Sequence, residues 1–107
     1  DGVAVINQGD IWLGALPDEK PRPYLVVTRQ RAIGGLDAVV AAPVTTTRRG
    51  LPSELDLGSA DGLRRACVVS FDNLGTVRKA YLTHLLGHVA PGRWHEVCAA
   101  VRAAIDC

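Results

Sequence analysis

Two short apolar runs, Tyr24-Leu25-Val26-Val27-Thr28 and Leu36 to Val44, constrain the fold of this chain more than any other feature. Each is β-branched or apolar at nearly every position, which predicts a strand buried on both faces. A polar residue stands at one end of each. Arg22 is pinned between Pro21 and Pro23 at the entrance of the first strand, and Thr45 follows Pro43-Val44 at the exit of the second. Arginine is a permanent cation whose planar donor fork suits phosphate oxygens. A threonine hydroxyl can donate to and accept from the same phosphate. If the two strands are neighbours, they carry a small phosphate-handling site on a rigid sheet.

The flanking sequence supplies further short strands. Gln8 to Leu16 alternates after the Gly9-Asp10 turn signal, and Ser53 to Leu57 alternates polar and apolar residues, as a half-exposed strand does. Ala66 to Phe71 and Leu82 to Val89 read as two more strands, while Val77 to Leu82 reads as irregular or as a short helical turn. Arg29 to Gly35 is a connection with room for a helical turn. Pro91 to Ile105 predicts one helix, with Trp94, Val97, Cys98, Val101, Ala104 and Ile105 on one face. Five or six strands before a single helix give a mainly β fold, a small and partly open barrel with the helix packed against it.

With 107 residues the expectation is one domain. Hydrophobic residues make up 48% of the chain, which excludes a disordered polar segment, and 5% aromatics leave the core to Val, Leu, Ile and Ala. A net charge of +1 is too close to neutral to mark a bulk nucleic-acid binder by itself, so any anion site must arise by local clustering. Cys67, Cys98 and Cys107 are odd in number and form no CxxC pair; they read as reduced packing thiols in a cytoplasm, with Cys107 a frayed end. No apolar run approaches the roughly 20 residues that span a bilayer. Val3 to Ile6 is too short, and lacks the basic flank, for a signal peptide. There is no methionine, so residues 1–7 are read as an uninformative extension. His84 and His88 have a metal spacing only on a helix, and their stretch reads as strand, so no metal site is expected.

The ordered set Gly9-Asp10-Ile11-Trp12, Arg22-Pro23, Ala42-Pro43-Val44-Thr45-Thr46, Pro52-Ser53-Glu54-Leu55, Val68 to Asn73 with Thr76, and the final amphipathic helix resembles the MazF/PemK toxins. The run Thr45 to Leu51 is most similar to their short mycobacterial-type members. The resemblance implies an SH3-like barrel that forms a homodimer. It also implies a sequence-specific endoribonuclease that cuts single-stranded RNA (mRNA, tRNA or rRNA) without a metal or other cofactor. The expected products are a 2′,3′-cyclic phosphate and a 5′-hydroxyl, and a MazE-like antitoxin would block the RNA groove. By motif position Arg22 and Thr45 match the catalytic pair. Asp72 is the candidate base, and Thr28, Thr46, Thr47, Arg48, Arg49, Asn73 and Thr76 are the candidate RNA contacts.

Two departures qualify the match. Only Leu13 to Pro21 separates Trp12 from Arg22, so the family's longer first loop has no counterpart, and Ser70 stands where one branch carries an arginine. The base is therefore open at this point. Two alternatives share the architecture: a toxin that binds DNA gyrase, and an inactive homologue that only binds antitoxin. Arg22 together with Thr45 favours the nuclease.

Overall fold

A computed structural model describes residues 5–106. The sequence-based expectations for residues 1–4 and for Cys107 lie outside that range. The strands are β1 (Asp10–Gly14), β2 (Arg22–Val26), β3 (Ala38–Thr45), β4 (Glu54–Leu57), β5 (Cys67–Ser70), β6 (Gly75–Arg78) and β7 (Leu82–His88). The helices are a single turn, α1 (Gln30–Ile33), and α2 (Trp94–Ile105). The antiparallel sheet runs β4-β5-β3-β2-β1-β7, with β6 also paired to β3. Among the described residues, no helix is long and apolar enough to cross a membrane.

The alternation of side chains along β1, β2 and β3 explains their nearly unbroken apolar runs. Ile11, Leu25, Ala42 and Val44 face a core shared with Leu55, Leu57, Val69, Phe71 and, from α2, Val97 and Ala100. Their neighbours Trp12, Tyr24, Val26, Val39 and Ala41 face a second core with Ile6, Ile33, Val77 and Leu82. The three central strands are thus buried on both faces. Each fully buried Ile, Leu, Val or Phe contributes about 1.5–3 kcal/mol of transfer free energy. Ile6 in the second core gives the end of the supposed extension a packing role.

Several elements differ from expectation. Among the described residues there are seven strands: Gly75–Arg78 pairs with Ala38–Ala41, although Val77 to Leu82 reads as irregular. Only Val77 of β6 points inward, so the strand leaves no alternating signature. A 3-10 turn, Lys79–Tyr81, then leads into β7. β2 starts at Arg22 and stops at Val26, which leaves Thr28 beyond its end. β3 begins two residues later than the Leu36 to Val44 run, at Ala38, and runs through Pro43 to Thr45. Val40 turns both its backbone groups toward β2, accepting from Val27 N–H at 2.8 Å and donating to Thr28 Oγ1 at 2.6 Å. Pro43, an odd number of residues on, turns its nitrogen the other way, into the gap where β3 exchanges β6 for β5. A missing N–H costs nothing there.

The sheet is not closed, since β4 and β7 end it without pairing. The loop after β4 covers that seam. A Cβ at Gly62, where φ is +91°, would lie 2.6 Å from the Leu86 carbonyl, and one at Gly87 only 1.8 Å from the Asp61 carbonyl. Two glycines thus let backbone meet backbone where a ladder is absent. Helix α2 follows a 3-10 turn at Pro91–Arg93; Trp94, Val97, Val101 and Ala104 of its expected face pack on the core, and the face is rotated enough to add Ala100 and leave out Cys98 and Ile105. Val97 and Ala100 are buried, whereas Cys98 is exposed and Ile105 is 55% exposed.

Candidate active site

Arg22 and Thr45 are brought together by strand pairing. The register Tyr24↔Pro43 between β2 and β3, extended two residues, carries Arg22 opposite Thr45. Both line one cavity of about 150 Å³ with Pro43, Thr47, Arg49, Glu54, Ser70 and Asn73. The cavity opens beside the point where β3 changes partners, so the gap at Pro43 forms part of its wall. A second cavity of about 380 Å³ shares Arg22, Pro43 and Asn73 and adds Glu19, Tyr24 and Thr76. On the other side, Thr45 and Thr46 border a mainly apolar cavity, also about 380 Å³, with Leu63, Leu86, Arg64 and Arg65 at its edge.

Hydrogen bonds fix the polar groups. Thr45 Oγ1 accepts the Thr47 backbone N–H at 3.1 Å, which orients the hydroxyl and leaves its proton free to donate outward. Asn73 Nδ2 donates one N–H to Ser70 Oγ at 2.9 Å, which leaves its second N–H and its amide oxygen free. Among the described residues, neither Arg22 nor Arg49 has an ion pair, and both guanidiniums are available to an anion. Tyr24 beside them keeps its phenol protonated, because burial raises its pKa and the Glu19 charge raises it further.

Five of the sequence-derived residues therefore share the cavity: Arg22, Thr45, Thr47, Arg49 and Asn73. Thr76 lines the adjoining cavity, and Thr46 lies on the apolar side. The remaining candidates are placed differently. Thr28 is buried, and its hydroxyl is used on the Val40 N–H, which makes it a brace between β2 and β3. Arg48 pairs with Asp56 at 3.0 Å, away from the cavity lining. Asp72, the candidate base, is absent from that lining, and its Oδ2 accepts the Ser53 hydroxyl at 2.6 Å. The 3-10 turn Phe71–Asn73 directs Asn73 inward and Asp72 toward Ser53.

Sequence reasoning missed Glu54. It begins β4, lines the cavity, and accepts from three backbone N–H groups of the preceding loop. Its place just after the Arg49-Gly50-Leu51-Pro52 turn was the available signal. Asp10 of the Gly-Asp-Ile-Trp run is structural. Its buried carboxylate accepts from Asn7 N–H at 2.8 Å and Trp12 Nε1 at 3.1 Å, and lies 2.9 Å from His88 Nδ1. Among the described residues, no group of three or more His, Cys, Asp or Glu could hold a metal.

A model of the PemK-like, MazF-like toxins of type II toxin–antitoxin systems matches residues 7–105. The "Probable endoribonuclease MazF2" of Mycobacterium tuberculosis is 37% identical over 103 residues, covering 95% of this chain and 100% of the relative. The "Probable endoribonuclease MazF5" of the same species is 36% identical over 105 residues, covering 97% and 96%. Among solved structures, the Mycobacterium tuberculosis toxin MazF-mt6 superposes with a TM-score of 0.84 at 33% identity, covering 91% and 96% of the two chains. A mycobacterial endoribonuclease in complex with its cognate antitoxin also superposes with a TM-score of 0.84, at 28% identity over 95% and 96%.

Proposed function

The chain belongs to the PemK-like, MazF-like toxins of type II toxin–antitoxin systems, and from that membership we propose that it cuts single-stranded RNA at the Arg22–Thr45 cavity. It is the toxin partner of an antitoxin and an endoribonuclease. The observation that carries this reading is the meeting of an unpaired Arg22 guanidinium and an oriented Thr45 hydroxyl in one small open cavity.

In this reading a ribose 2′-hydroxyl attacks the adjacent phosphorus and gives up its proton to solvent water in the open cavity. The P–O5′ bond breaks and the departing 5′-oxygen takes a proton from water, so one proton leaves and one is returned. Negative charge builds on the non-bridging oxygens of the phosphorane. Arg22 donates its fork to those oxygens, and Thr45 donates the proton that its bond from Thr47 leaves free. Arg49 and the Asn73 amide hold the flanking backbone. Both nearby carboxylates already accept hydrogen bonds, Asp72 from the Ser53 hydroxyl and Glu54 from the loop N–H groups. Most of the acceleration therefore comes from preorganised donors. No observation favours the gyrase-binding alternative, which needs neither donor. One domain, a homodimer and a cytoplasmic location complete the proposal.

The test is incubation of pure protein with a long RNA in EDTA. Discrete fragments with 5′-hydroxyl and 2′,3′-cyclic phosphate ends are expected. Intact RNA beside inhibited gyrase supercoiling would overturn the assignment.

A further inference from the structure

Glu54 is the one carboxylate among the described residues that lines the Arg22–Thr45 cavity, yet it forms no ion pair there. Its Oε1 accepts the backbone N–H groups of Arg49 at 3.2 Å, Gly50 at 3.0 Å and Leu51 at 3.2 Å. Oε2 shares the Arg49 N–H at 3.2 Å. Three successive N–H groups curled about an anion form a nest. Gly50 makes the curl feasible with a φ of +71°. The Glu54 N–H donates back to the Leu51 carbonyl at 3.1 Å. The connection between β3 and β4 is thus gripped at both ends, by the Thr45 hydroxyl and by Glu54. Arg49 lies inside the gripped segment and lines the cavity.

We propose that Glu54 is a positioning residue: it pre-orders the 46–52 loop so that Arg49 meets an RNA phosphate next to the one held by Arg22. The inference rests on the nuclease reading. Its consequence runs against simple electrostatics. A carboxylate beside two guanidiniums should repel RNA, so removing it would strengthen binding if charge were its only role. If Glu54 positions Arg49, removing it weakens binding instead. Glu54→Gln separates the two effects, because its amide oxygen still accepts N–H bonds without the charge.

Cleavage sites are first mapped with the wild-type protein. Binding is then measured on an RNA of that sequence with a 2′-deoxy residue at the cut, across a salt series. Glu54→Ala is expected to lose about tenfold in affinity, the order expected for charge-assisted contacts. Its log K against log salt slope should flatten by about 0.7, the value of one phosphate contact on a single strand. Arg49→Ala should do the same, and the double variant should lose no more than either alone. Glu54→Gln should bind at least as well as wild type.

Should Glu54→Ala fail to fold, Gly50→Val strains the same turn with open space about its Cβ, and the same flattened slope is expected. Tighter binding by Glu54→Ala, or additive losses in the double variant, would overturn the positioning role alone. Uncut RNA with the wild-type protein would overturn the nuclease reading and this inference with it.

Discussion

Replacing Arg93 with methionine should destabilise the fold by about 2 kcal/mol, through a buried carboxylate left without its counter-charge. Arg93 Nη1 donates to Asp61 Oδ1 at 3.1 Å, and Nη2 donates to the Asp56 carbonyl at 2.9 Å and to Glu96 Oε1 at 3.1 Å. One guanidinium thereby ties the edge of β4, the loop over the open seam and the first turn of α2. Asp61 is only 5% exposed and would keep a single partner, the Gly58 N–H at 3.0 Å. Orphaning a fully buried ion costs about 3–5 kcal/mol. Arg93 is 30% exposed, so water screens part of that loss and the figure is reduced accordingly. Methionine retains the apolar stem, which confines the change to the guanidinium. With a urea m-value of about 1.3 kcal/mol/M, the midpoint should fall by roughly 1.5 M.

The same substitution has a pH signature. The Arg93 hydrogen bond, foremost, holds the Glu96 carboxyl below its ordinary range. A carboxylate with a lowered folded pKa stabilises the fold above its unfolded value, and that contribution disappears as pH falls through the folded value. The wild-type advantage over Arg93→Met should therefore shrink on acidification below the usual glutamate range. Adding Asp61→Asn to Arg93→Met should recover part of the loss. A midpoint shift under about 0.4 M, which is about 0.5 kcal/mol at that slope, would refute the reasoning.

Three further outcomes are expected. Arg22→Ala and Thr45→Val should each lower the cleavage rate about 100-fold, with the urea midpoint nearly unchanged, because each removes a phosphorane donor; wild-type rates from either would remove that residue from the site. Gly87→Ala should cost at least about 2 kcal/mol, since its Cβ would sit 1.8 Å from the Asp61 carbonyl oxygen, whereas Gly92→Ala, with open space around it, should be near neutral; equal denaturation midpoints for the two would contradict the close seam. In a Cys107→Ser background, one thiol should react rapidly with a disulfide reagent, at exposed Cys98. Cys67, whose pKa is pushed up by burial and then by Asp61, should react only after unfolding; fast labelling that survives Cys98→Ser would be the wrong result.

The legible parts of the fold were those whose side chains alternate between two environments. Strands β2, β3 and β4 declare themselves because each alternate residue meets a core. Strand β6 stays hidden because Val77 alone faces inward, and pairing with β3, a long-range event, makes it a strand. The rotation of α2 was equally illegible: Cys98 and Val101 are both apolar, and only the position of the sheet decides which one is covered. In the site, Arg22 and Thr45 could be paired by motif, but Asp72 and Asn73 could not be told apart by spacing. They are adjacent in the chain, and a 3-10 turn sends one to Ser53 and the other into the cavity.

The siting of the cavity follows from one residue that a central strand normally excludes. Proline removes a ladder donor, so β3 can pass Pro43 only where no strand waits for that donor. Pro43 sits where β6 has ended on that side and β5 has yet to begin. The same vacancy leaves room beside the backbone, and the polar residues of four strand ends reach it: Arg22 from β2, Thr45 from β3, Glu54 from β4 and Ser70 from β5. Strand ends are where side chains can be polar without disturbing either core, yet their backbones remain fixed by the sheet. A site assembled there needs no mobile loop to bring its donors together, and the loop that contributes Thr47 and Arg49, 46–52, is itself held by Thr45 and Glu54. The break in the ladder and the preorganisation of the donors are two results of the same placement of Pro43.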